Sequence, residues 1–277
     1  MDSWIALIIA GGLIGTFGTL IGAGGGFILV PLLMLTHPHL STETITAISL
    51  LVVAVNAISG TLAYSRSRRI DYKAGLVFAA FTVPGSILGV YITRFIPLNV
   101  FQIVFSVLLI SMAVFLFVRP LQSPERGGLP VPFRKGWKHH HLTDRAGEQY
   151  DYSYPQYTGI FISVLVGFMS PLLGIGGGIV HVPAMVQWLQ FPVAIATATS
   201  HFILAVMSVV SVTIHWMAGN YDDPYIGRLC LGLGLGVLPG AQLGAYLSHH
   251  LPTRRIVQIL AVCLGLVGIR IFWSLIQ

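Results

Sequence analysis

One short phrase occurs twice in this chain. Ile21-Gly22-Ala23-Gly24-Gly25-Gly26-Phe27-Ile28-Leu29-Val30-Pro31 returns as Leu173-Gly174-Ile175-Gly176-Gly177-Gly178-Ile179-Val180-His181-Val182-Pro183. Each copy interrupts an apolar segment. Consecutive glycines destabilise a helix and let the backbone turn sharply. In lipid, backbone groups freed by such a turn are tolerated only where they are buried in protein or line a cavity. Each phrase therefore predicts a broken helix at a binding site, one in each half of the chain.

The surroundings are those of a membrane protein. Of 277 residues, 55% are hydrophobic and 9% charged, against about 25% charged in soluble domains. The net charge is +6 and the basic residues fall mainly between apolar runs. That is the placement of membrane anchors, not of a nucleic-acid-binding stripe. Cys230 and Cys263 both lie in apolar runs and read as small core residues. Met1-Asp2-Ser3-Trp4 carries no basic n-region, so the first apolar run reads as retained.

Eight apolar stretches can be drawn, about 4–36, 43–64, 74–95, 98–118, 157–190, 194–216, 226–248 and 253–275. A spanning helix needs about 20 residues. The first and fifth are too long for one simple span, and they carry the glycine phrase. The expected fold is an all-α polytopic membrane protein of two repeated halves. Each half has four apolar segments, the first broken at its glycine triplet. The expected divisions are a first membrane repeat at 1–118, a cytoplasmic loop at 119–156 and a second membrane repeat at 157–277.

The repeat extends beyond the phrase. Gly24 and Gly176 are 152 residues apart, Thr46 and Thr197 are 151 apart, and Pro84 and Pro239 are 155 apart, as are Gly89 and Gly244, and Pro97 and Pro252. A near-constant offset over separate landmarks marks an internal repeat. Matched glycine breaks in two halves point to a transporter binding site. Arg66, Arg68, Arg69 and Lys73, with the basic residues of the central loop, place those loops in the cytoplasm. Charge counts do not separate broken segments that cross once from broken segments that fold back. The fold-back version, with inverted repeats, is expected because it sets the two breaks face to face at mid-membrane.

The central loop begins with a Pro- and Gly-rich linker containing Pro120, Pro124, Gly127 and Gly128. Around Arg145-Ala146-Gly147, tyrosines alternate with polar residues in Tyr150-Asp151-Tyr152-Ser153-Tyr154, which predicts a small β-hairpin. His139-His140-His141 cannot all face one ion from a strand, because neighbours point to opposite sides. A solvated loop is the plainer reading of the triplet.

All 9 acids lie outside the apolar stretches or at their ends. A cation carrier or proton pump keeps a carboxylate inside its bundle. Here the interior offers donors instead. Helix N-termini after Gly24, Gly25 and Gly26, and after Gly176, Gly177 and Gly178, would present unpaired amides to an anion. Ser49 and Ser200 occupy matching places with Thr199 beside the second, and Asn56 lies two turns beyond Ser49. Their polar groups could donate to an oxyanion, or the hydroxyls could bond back to their own helix. His181 and His201 replace Leu29 and Leu50 of the first half, making the expected site asymmetric. A membrane-embedded enzyme using His181, His201 and His215 around a metal is the alternative. No acid or cysteine completes its ligand set, and no nucleotide-binding phosphate loop is present.

With the doubled phrase, Ala196-Thr197-Ala198-Thr199-Ser200 and the two Pro-Gly motifs in view, the sequence resembles the sulfite exporter TauE/SafE family over nearly everything but the central loop. The resemblance implies secondary transport of small sulfur-containing anions such as sulfite or organosulfonates. The implied partners are that anion and the bilayer of a cell (inner) membrane crossed many times. No cofactor, metal or nucleic acid is expected, no enzymatic activity is implied, and a homo-oligomer is compatible with the sequence.

Overall fold

In the computed structural model, residues 3–118, 136–250 and 253–274 are described. Among the described residues the regular structure is helical apart from one β-hairpin. The first half contributes α1 (Trp4–Ile21), α2 (Gly26–Thr36), α3 (Thr42–Arg66), α4 (Tyr72–Thr93) and α5 (Leu98–Val118). Strands β1 (Trp137–Thr143) and β2 (Gln149–Pro155) follow. The second half contributes α6 (Gln156–Leu173), α7 (Gly178–Gln187), α8 (Val193–Met217), α9 (Pro224–His250) and α10 (Thr253–Ser274). Among the described residues, 7 helices are long and apolar enough to cross a membrane. The central linker containing Pro120, Pro124, Gly127 and Gly128 lies outside the described residues.

The two over-long stretches are each divided at the glycine phrase, so each half has five helices. The short helices start at Gly26 and Gly178, one residue earlier than the apolar pattern placed them. With 11 and 10 residues they reach about 15–16 Å, half of a ~30 Å hydrocarbon core.

Both broken segments fold back. Trp4 at the start of α1 lies under Arg228, and His37 just past α2 lies 6.0 Å from Tyr225. The two ends of the first segment thus return to the first turn of α9. In the second segment, a Cβ on Gly159 of α6 would touch both Phe78 of α4 and Leu189 beyond α7. Each segment therefore enters and leaves at one face.

The faces are opposite ones, because the corresponding helices α3 and α8 lie side by side and antiparallel. At one face Asn220 donates to Glu43 and Tyr221 donates to the Ala47 carbonyl. At the other, the Asp71 amide donates to Thr199 Oγ1. Flanking pairs repeat the same contact in both halves. Gly89 of α4 brings its helix against α6, where a Cβ would stand 2.4 Å from the Phe168 carbonyl. Gly244 of α9 does the same against α1, at 2.3 Å from the Thr16 carbonyl. Small residues let backbones approach this closely in lipid, where packing and not water drives association. The Gly89 and Gly244 that follow the two Pro-Gly motifs thus act as packing sites.

The β-hairpin pairs His140 with Tyr152 and His141 with Asp151. The histidine triplet lies in this strand and not in a loop, with His139 and His141 exposed and His140 half-buried. His139 meets Ser153, His140 meets Asp71, and His141 meets Asp151, so the three rings have three separate partners.

Candidate functional site

The two breaks are built alike. Gly22, Gly24 and Gly25 have φ of 83°, 79° and 87°, and Gly174, Gly176 and Gly177 have φ of 67°, 80° and 71°. Only glycine occupies that region freely. Gly26 and Gly178 have helical backbones but are needed for another reason. A Cβ on Gly26 would lie 2.4 Å from the Gly174 carbonyl, and one on Gly178 would lie 2.0 Å from the Gly22 carbonyl. The two tips therefore cross in direct backbone contact, each helix start against the other's turn.

Above the contact sit Val53 and Leu204, corresponding residues of α3 and α8. Each approaches both Gly24 and Gly176. With Ala57, Ala205 and Met207 they form a buried apolar cluster. The space directly between the tips is therefore filled, and the structure is closed.

Donors remain at each break. The amides of Gly25, Gly26 and Phe27, and of Gly176, Gly177 and Ile179, have no backbone partner among the described residues, whereas Gly24 donates back to the Gly18 carbonyl at 3.1 Å. Unpaired amides at a helix start carry partial positive charge.

Side chains distinguish the breaks. Around the first, Thr19 Oγ1 donates to Asn56 Oδ1 at 2.8 Å, and His201 Nε2 lies 3.3 Å from the same hydroxyl. Tyr64 donates to the Thr19 carbonyl and packs edge-on to His201. Asn56 Nδ2 is buried without a partner.

Around the second break there is a cavity. It is lined by Thr82, Gly176, Gly177, Gly178, His181 and Ser200, and closed by Val166, Ile203, Leu204 and Met207. Its volume is about 10 Å³, room for about one water. The Ser200 hydroxyl is buried without a partner, as is that of Ser170, whose Oγ would lie 3.0 Å from a Cβ on Gly177. His181 Nε2 has a long 3.5 Å contact to Ser163 Oγ, and its ring packs against Phe78. Among the described residues, no carboxylate lines this cavity.

The matched serines have different uses. Ser49 donates across the repeat to the Gly174 carbonyl at 2.6 Å and so ties α3 to the second tip. Ser200 has no such tie. Thr199 stands apart from both tips, accepting the amide of Asp71 at the hairpin face. Thus the structure gathers Gly176, Gly177, Gly178, His181 and Ser200 at the second break. It gathers Gly24, Gly25, Asn56 and His201 at the first, and Gly26 lies on the contact between them. His215 is remote from these, 2.9 Å from the Asn220 amide nitrogen. His181, His201 and His215 therefore share no centre. Among the described residues no cluster of three or more metal-ligating side chains occurs.

Sequence reasoning passed over Thr19, Thr82, Ser163 and Ser170. Thr19 and Ser170 lie three and four residues before the first glycine of their phrases, one helical turn from the break, and that spacing is their signal in the sequence.

A sequence profile described as "Sulfite exporter TauE/SafE" matches residues 7–271. The chain is 34% identical to "Probable membrane transporter protein YunE" of Bacillus subtilis, over 98% of each chain. It is 24% identical to a "Probable membrane transporter protein" of Methanocaldococcus jannaschii, over 95% of this chain and 93% of that one. A Xylella fastidiosa protein of the same description is 27% identical, over 92% and 90%. No solved structure matches. The match over nearly the whole length, together with spans folded around two glycine breaks, means that this multi-pass membrane protein belongs to the TauE/SafE family of membrane transporters.

Proposed function

We propose that the protein carries a small sulfur oxyanion, sulfite or an organosulfonate, and that the anion is held at the second glycine break. The observation that carries this reading is the convergence of donors there. Free amides of Gly176 and Gly177 and the unpartnered hydroxyl of Ser200 line one cavity that no carboxylate lines, and the unpartnered hydroxyl of Ser170 stands beside Gly177. An unpaired buried donor costs about 1–3 kcal/mol, and an anion would satisfy several at once. The start of α7 adds its dipole. The family description names sulfite as the exported species, and a pyramidal oxyanion suits several donors converging from one helix start.

The cavity is smaller than such an anion, so binding requires the tips to separate and Leu204 to withdraw. Broken segments entering from opposite faces support an inverted-repeat reading. Movement of one half against the other then exposes the site to each face in turn. In this reading His181 orients the anion from the side, and Asn56, Gly24, Gly25, Gly26 and His201 form the counterpart on the first break.

The test is flux in reconstituted vesicles against a panel of sulfite, organosulfonates and other small anions, with and without a pH gradient. Sulfur oxyanions should move, and Ser200→Ala should raise their KM about tenfold, the worth of one hydrogen bond to a charged group. Equal KM values for Ser200→Ala and the parent would refute the site.

A further inference from the structure

The β-hairpin lies over the mouth of the segment that carries the second break. Tyr152 and Tyr154 point inward from β2, 3% and 2% exposed. They pack against Phe191 with ring centroids 4.7 and 4.9 Å away. Tyr154 and Phe191 both meet Phe78, and Phe78 meets His181 at the cavity. A continuous aromatic column therefore runs from the hairpin to the second break.

The hairpin is fastened at two points. Tyr152 donates to Asp71 Oδ2 at 2.6 Å, and His140 Nδ1 contacts the same oxygen. Arg69 donates two hydrogen bonds to Asp144 Oδ2, at 3.1 and 3.0 Å, and the Arg145 amide donates to the Ser67 carbonyl at 3.0 Å. Burial would raise the Asp71 carboxyl, but hydrogen bonds from His140, Tyr152 and the Ala74 amide outweigh it and hold the group below the usual carboxylate range. The latch is thus an ionised acid whose partners sit on the hairpin. Asp71 also caps α4, so the hairpin is tied to a rigid element and not to a loose loop.

Among the described residues, no corresponding insert lies over the mouth of the first broken segment, where Trp4 and His37 meet α9.

We propose that the hairpin is a gate: Tyr152 and Tyr154 stop the path from this face to the second break, and Asp71 with His140 and Tyr152 latches them shut. The gate rests on the second break being the site reached, but it is tested here by access and not by the identity of the cargo. Opening changes non-covalent contacts alone; the column of Phe78 and Phe191 stays with the helices while the tyrosines lift away.

Access is read by placing a cysteine at the cavity, Ser200→Cys, with Cys230→Ala and Cys263→Ala removing the native thiols. A small sulfonate-bearing methanethiosulfonate is added from the hairpin face. Asp71→Asn keeps an N-cap for α4 while discharging the latch, and Tyr152→Phe removes only its hydroxyl. Each should speed labelling at position 200 at least fivefold. A second arm joins the hairpin to the bundle through Ser67→Cys and Arg145→Cys, with Ser200 intact and Cys230 and Cys263 again replaced by alanine. Once oxidised, that disulfide should lower flux at least tenfold, and dithiothreitol should restore it. Unchanged labelling in both latch variants, or full flux through protein shown to be cross-linked, would overturn the gate. Loss of anion selectivity with labelling still latch-dependent would count against the cargo assignment and leave the gate supported.

Discussion

The first and second breaks share a backbone and differ in what surrounds it. Their left-handed glycines fall at the same three places, and each helix start rests on the other's turn. Yet at the first break Thr19, Asn56 and His201 bond one another, with Asn56 Nδ2 and His201 Nδ1 left over. At the second, the Ser200 hydroxyl is left free in a small cavity with His181 at its side, and the Ser170 hydroxyl is left free beside Gly177. The shared backbone thus keeps the geometry that makes donors available. On the proposed reading, divergent side chains then decide which copy holds cargo. The twin serines show this most directly. Ser49 is spent on the Gly174 carbonyl, and that bond shapes the very break that Ser200 serves.

The largest effect is expected from a side chain at the tips. Gly177→Leu meets Val166 at 2.9 Å in a left-handed backbone, and Gly25→Leu meets Ile14 at 2.6 Å. Either should abolish vesicle flux while membrane insertion, checked by fractionation, persists. Next come the serines, where the two copies should part. Ser49→Ala leaves the Gly174 carbonyl unpaired and should lower stability by about 1–3 kcal/mol, seen as a fall in Tm. Ser200→Ala should leave Tm unchanged and instead raise KM about tenfold, the value of a bond to an ion. A fall in Tm for both would mean that the serines are equivalent. A smaller effect is expected from making the second half match the first. His181→Leu, which installs the residue found at position 29, should reduce flux a few-fold, whereas Leu29→Ile should not.

The smallest effect concerns the hairpin over the segment that carries the second break. Asp71 has a depressed pKa in the folded protein, so its contribution is complete above the ordinary carboxylate value and is lost only as pH falls below it. Protection of the hairpin from added protease should therefore be the same at pH 7 and pH 5.5. Weaker protection at pH 5.5 would show that Asp71 is not the group holding it.

Much of this was legible in the sequence because it depended on local chemistry. A left-handed backbone and direct tip-to-tip contact both demand glycine, so the phrase had to be written in full in each half. The β-hairpin was legible from the period of two in Tyr150, Tyr152 and Tyr154. What was not legible depends on which element arrives next to which. Nothing local says that Ser49 finds the Gly174 carbonyl while Ser200 finds none, or that Thr199 is taken by Asp71. Asp71 itself reads as an ordinary helix cap, and its second role appears only once His140 and Tyr152 are laid upon it. Charge left the course of the broken segments open, and nothing local says that Trp4 and His37 both meet α9.

The most direct test is a structure of the protein with selenite, a heavier analogue of sulfite, located by the anomalous scattering of selenium. The account predicts one principal selenium site beside Gly176–Gly178, within hydrogen-bonding distance of Ser200 Oγ, with Leu204 displaced. A principal site at the first break, or outside both, would contradict it.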